Sequence, residues 1–80
     1  MTNNITSAAA MLAALEYADL NIEETCDRRI ALHDGLYEIS FRTMFMVYEV
    51  YVDALTADVP GFNTEPAMPN KTYSGLRMAA

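Results

Sequence analysis

His33 and Cys26 are the sole histidine and cysteine of this chain. They stand seven residues apart, with Asp34 beside the imidazole. These residue types make a thiolate nucleophile with its base, or a pair of metal ligands. On a helix the seven-residue interval would bring both to one face, but two ligands do not complete a zinc site, which takes three or four. Asp27 also opposes thiolate formation at Cys26. The sequence therefore assigns no metal and no cofactor, reads Cys26 as a small buried hydrophobe, and places His33 in the last turn of a helix, where it meets free carbonyls.

Glu49 and Asp53 lie one helical turn apart, as a catalytic carboxylate pair might, yet they fall on a charged edge where such groups are solvated rather than pushed apart in pKa. No G-x-S-x-G, phosphate-binding glycine loop, H-E-x-x-H or calcium-loop spacing occurs. The chain reads as a non-enzyme with no evident small-molecule substrate. Arg28 and Arg29 form the one basic doublet. Arg28 has Glu24 four residues before it, the favourable order for a helical ion pair. Arg29 has Thr25 there instead, and is the better candidate for an intermolecular contact with a carboxylate or phosphate.

The segment that would position these groups is Leu36 to Ala57, in which 15 of 22 residues are apolar. At 100° per residue its charged side chains, Glu38, Arg42, Glu49 and Asp53, fall within an arc of about 60°, the pattern of a helix with one wet edge. Tyr37, Phe41, Met44, Tyr48, Tyr51 and Leu55 follow the spacing of a packing seam, Phe45 widens it, and Ile39, Val50 and Ala54 mark a second. Upstream, Thr6 or Ser7 caps a first helix reaching about Leu20, with Ala10, Ala14 and Ala18 as a small-residue strip. Asn21, with Glu24 three residues on, caps a second over Ile22 to His33, stopped by Gly35.

A hairpin competes for the same residues. Asp34-Gly35 makes a two-residue turn that pairs Leu32 with Tyr37, Ile30 with Ile39 and Arg28 with Phe41. Glu38 and Arg42 then alternate with apolar neighbours, but Glu49 and Asp53 have the opposite strand parity, and the chain must break near Thr43. One continuous helix accounts for all four charges. The predicted fold is thus all-α: a small three-helix bundle with an extended C-terminal tail, against an α+β alternative with a 28–33/36–43 hairpin.

Residues 1–58 form the expected helical domain and 59–80 an extended arm, since Val59-Pro60-Gly61 ends the pattern and Pro66, Pro69 and Gly75 follow. The arm carries spaced apolar anchors at Phe62, Met68, Tyr73, Leu76 and Met78. A core of this size supplies only about 3–5 kcal/mol without help. The single cysteine excludes an internal disulfide, so oligomerisation or a partner is the expected aid.

The net charge is −6, and residues 1–58 carry ten acidic against three basic side chains. That balance disfavours direct nucleic-acid binding, which rests on Lys and Arg against phosphates. No export signal is visible, so the expected compartment is the cytoplasm or an assembly built there, and the sequons at Asn4 and Asn70 lack a secretory setting. Four charges in the 36–57 segment oppose membrane insertion.

The leading functional expectation is an acidic, non-enzymatic structural or adaptor subunit, assembling with itself or a larger complex through the 36–57 helix and the arm. Its expected contacts are Arg29, Tyr37, Phe41, Met44, Phe45, Tyr48, Tyr51, Leu55, Phe62, Tyr73 and Leu76. The alternative is a small acidic inhibitor that blocks a basic, nucleic-acid-binding surface of a target protein. Small viral proteins of the phage anti-defence type share this size and acidity, though no motif links the chain to them.

Overall fold

The computed structural model describes residues 3–67, and in them the chain is mostly sheet. A helix, α1 (Ser7–Ala18), is followed by a single 3-10 turn (Ile22–Glu24) and four strands: β1 (Cys26–His33), β2 (Leu36–Arg42), β3 (Met46–Asp53) and β4 (Gly61–Pro66). The strands lie in sequence order in one antiparallel sheet. The all-α bundle is overturned: one helix packs on one sheet, an α+β architecture.

The expected first helix is present. Thr6 caps it, its Oγ1 accepting from the Ala9 N–H at 3.0 Å. Asp19 ends it in left-handed backbone, φ 61, as the Leu20 N–H returns to the Leu15 carbonyl at 2.9 Å. The second predicted helix shrinks to the 3-10 turn. Glu24 Oε1 does accept from the Asn21 N–H at 2.8 Å, but at Thr25 the backbone turns extended, φ −114 and ψ 155, and the strand begins. Arg28 does not reach Glu24; its Nη1 donates to the Thr25 carbonyl at 2.8 Å and to Thr25 Oγ1 at 2.9 Å.

Gly35 is a hairpin turn residue rather than a helix stop. Asp34 and Gly35 have φ of 48 and 79, the pair of left-handed conformations of a type I′ turn, whose twist matches that of the strands it joins. The resulting register puts Leu32 opposite Tyr37 and Ile30 opposite Ile39. Further back the ladder slips, with Cys26 opposite Arg42 and Asp27 in left-handed backbone, φ 53. That bulge takes Arg28 out of the place facing Phe41.

The predicted 36–57 helix is two strands and a turn. Thr43 makes the break: its N–H donates to the Met46 carbonyl at 2.8 Å, and its Oγ1 accepts from the Met46 N–H at 3.1 Å. Glu38 faces Tyr51 and Ser40 faces Glu49, so even positions of β2 share a face with odd positions of β3. Glu38, Arg42, Glu49 and Asp53 thus lie on one face of a sheet, not one edge of a helix.

The other face holds the core. Tyr37, Ile39, Phe41, Val50 and Val52 are buried there under Ala10, Ala14 and Leu15 of α1. Ala10 and Ala14 are fully covered, because only a methyl group lets the helix axis approach the sheet this closely. The N-terminal lead is stitched to the strands at Ile5, whose N–H donates to the Ala54 carbonyl at 2.7 Å and whose carbonyl accepts from the Tyr37 hydroxyl at 2.6 Å. Tyr37→Phe deletes that half-buried bond and leaves the Ile5 carbonyl without it, so it should cost about 1 kcal/mol. Thermal unfolding should show a drop in Tm of roughly 4–8 °C per kcal/mol for a domain of this size; an unchanged Tm would mean the lead is not held there.

Candidate functional site

Among the described residues β1 is an edge strand, and its outer side is the first open surface. A two-residue hairpin closes on a pair that exchanges both backbone bonds, here His33 with Leu36, and such pairs recur every second residue. The backbone groups of Arg29, Ala31 and His33 therefore point inward to β2. Those of Ile30 and Leu32 point out. The same alternation runs through the sheet: the Thr43 N–H bonds Met46 on the β2–β3 side, while the Asp53 N–H bonds Asp58 and the Ala67 N–H bonds Phe45, both on the β4 side. On β4 the outward positions are then Phe62, Thr64 and Pro66, and proline removes one donor from that edge.

The second open surface is the sheet face away from α1. Its rows are Arg42, Val47, Glu65; then Arg29, Ser40, Glu49, Asn63; then Ala31, Glu38, Tyr51, Gly61. Two arginines at one corner thus share a face with three glutamates. Arg42 Nη1 meets Asp27 Oδ2 at 3.9 Å, an exposed pair of small worth. Tyr51 lies over Gly61, where an added Cβ would come within 3.0 Å of the ring, so the glycine is there for space.

The third surface is apolar and interrupted. Met44 and Phe45 at the tip of the β2–β3 hairpin are 78% and 74% exposed. Leu55 sits exposed in the turn after β3, and Leu12 projects from the outer side of α1. Tyr17 of α1 and Phe62 of β4 meet at 4.9 Å between ring centroids, closing the β4 side of the helix layer. Leu32, opposite Tyr37 on the helix side of β1, stays 46% exposed, since α1 packs mainly on β2 and β3.

The residues singled out from sequence scatter accordingly. Tyr37 and Phe41 are in the core, and Tyr48 stacks on Phe41 at 5.2 Å. Tyr51 is on the opposite face, Met44 and Leu55 are in turns, and the expected seam does not exist as one stripe. Arg29 is exposed on β1, while Tyr73 and Leu76 lie outside the described residues. Phe62, assigned to the arm, belongs to the sheet, because residues 61–66 pair with β3. Sequence reasoning passed over the outward positions Ile30 and Leu32, whose signal was the Asp34-Gly35 turn itself.

Cys26 and His33 do not come together as a nucleophile and its base. Cys26 is exposed rather than buried, and it stands at the opposite end of β1 from His33, about 23 Å away at strand rise. Among the described residues no three His, Cys, Asp or Glu side chains gather to hold a metal ion. No helix among them is long and apolar enough to cross a membrane. No family model, no curated protein and no solved structure matches this chain.

The turn after β3 moves the titration of Asp53. The Leu55 and then the Thr56 backbone N–H, at 2.8 and 3.0 Å from Oδ1, hold it below the ordinary aspartate value of 3.8. A carboxyl so lowered adds stability above its unfolded pKa and loses it as pH falls through the folded value. Asp53→Asn should therefore unfold earlier in urea at neutral pH, with the gap to the native chain closing towards about pH 2. A gap that widens on acidification would contradict this.

Proposed function

We propose that this protein is a non-enzymatic structural or adaptor subunit that docks on a larger protein assembly with the apolar tip of its β2–β3 hairpin. The observation that carries the reading is the pair Met44 and Phe45, adjacent, large and about three-quarters exposed. The turn beneath them is bonded on three sides: Thr43 Oγ1 accepts from the Phe45 N–H at 3.3 Å and the Met46 N–H at 3.1 Å, and the Phe45 carbonyl accepts from the Ala67 N–H at 2.9 Å. A turn whose backbone is already bonded loses little backbone freedom on docking, so more of the burial of its two apolar side chains becomes affinity. Methionine and phenylalanine are also enriched at protein interfaces.

The acidic-inhibitor reading stands second. A mimic of nucleic acid needs an uninterrupted acidic surface, and Arg29 and Arg42 share the open sheet face with Glu38, Glu49 and Glu65.

The intact chain, used as bait in the cells that make it, should retain protein partners. Against a purified partner, Phe45→Ala should weaken binding by about 2 kcal/mol or more, some thirtyfold. Equal titration curves for the native chain and Phe45→Ala would end the proposal. A complex abolished by moderate salt but indifferent to Phe45 would favour the inhibitor.

A further inference from the structure

We propose that two copies of this chain join through their β1 strands, antiparallel about a two-fold axis at Ala31, to make one continuous eight-stranded sheet. The occupant of the β1 edge is thus a second copy, bound at a surface separate from the Met44–Phe45 tip.

The hydrogen-bonding phase carries the argument. Ile30 and Leu32 present outward N–H and C=O groups, and β1 has no neighbour on that side among the described residues. Three symmetric registers can use them. Centring on Ile30 brings Leu32 against the bulge at Asp27 and Arg28, and centring on Leu32 brings Ile30 against the turn at Asp34. Only centring on Ala31 sets Ile30 of each copy opposite Leu32 of the other, both in regular strand. Each such pair exchanges two bonds, so the junction makes four.

Side chains agree with this register. At the axis Ala31 faces its own copy in a non-bonded pair, where Cα atoms approach to about 4.5 Å and a small residue fits best. On the helix side Ile30 and Leu32 meet their counterparts, which extends the core face across the junction and covers the exposed Leu32. On the open face Arg29, all donor, faces the second copy's His33, whose imidazole offers an acceptor. The two edges of the sheet also differ in protection: Pro66 blunts β4 at an outward position, whereas the bulge protects only the first residues of β1 and leaves Arg29 to His33 flat.

Sedimentation of the intact chain over a concentration series tests the proposal through a charge pair at the axis. Ala31 is exposed and faces Glu38 within its own sheet, so Ala31→Lys keeps the fold while placing two ammonium groups against each other in the dimer. The native chain should show a concentration-dependent dimer in the micromolar range, and Ala31→Lys should weaken it at least about tenfold. Ala31→Glu alone should do the same, and an equimolar mixture of the two variants should associate again as a heterodimer. A native chain that stays monomeric up to about 1 mM, or a dimer as strong in Ala31→Lys as in the native chain, overturns the proposal. A dimer indifferent to Ala31 but lost in Phe45→Ser also overturns it, and would assign self-association to the hairpin tip instead.

Discussion

Asp34 and Gly35 share a left-handed backbone conformation, and the sheet depends on it. Nothing crowds the Gly35 Cα, since an added Cβ would have no atom within 4 Å. The demand is for φ of 79, which a side chain resists. Met by Asp-Gly, that demand sets the His33–Leu36 pair, and the pair sets which backbone groups of β1 and β2 face each other. From there the consequences run outward: Tyr37, Ile39 and Phe41 turn to the helix, Glu38, Ser40 and Arg42 turn to the opposite face, and Ile30 and Leu32 hold their donors and acceptors toward an edge with no strand beside it among the described residues. A slip of one residue would exchange every one of these assignments.

What could be read from the sequence follows from how local each signal is. The first helix was legible because Thr6 and the alanines act within one or two turns. The Asp34-Gly35 turn and the pairs Leu32–Tyr37 and Ile30–Ile39 were also visible, as the hairpin alternative. The four charges of the 36–57 segment misled. Their change of parity between Arg42 and Glu49 looked like evidence against strands, yet an antiparallel pair joined at Thr43 to Phe45 sets even positions of one strand beside odd positions of the next. A helix of 3.6-residue period and a hairpin with that turn project the same four side chains together.

Other elements left weaker traces. The Asp27–Arg28 bulge interrupts alternation at the start of β1, where a left-handed aspartate stands in for glycine. The residues of β4, Phe62 to Glu65, carry one large apolar side chain, and the strand owes its place to bonding with β3 rather than to burial. Of the described apolar candidates, Met44 and Phe45 are the ones the fold sets furthest into solvent. They reach that position as a turn between strands, not as part of a helical seam. Tyr37 and Phe41, chosen for the same spacing, went to the core because their strand faces α1.

Among the described residues, the sheet is covered on one face by one twelve-residue helix, and its other face and both edges are open. Its surfaces divide by chemistry: a mixed-charge face, an apolar tip on a bonded turn, and a strand edge with its backbone groups directed outward. The phase of the β1–β2 hairpin decides what the edge can offer.

That phase is open to direct measurement by nuclear Overhauser contacts between Hα protons, which are close across non-bonded antiparallel pairs and distant across bonded ones. The account predicts cross-peaks for Ile30–Ile39 and Leu32–Tyr37 in the first hairpin, and for Glu38–Tyr51 and Ser40–Glu49 in the second. Cross-peaks for Ala31–Glu38 in their place, or contacts between residues three apart along 36–57 of the kind a helix gives, would contradict it.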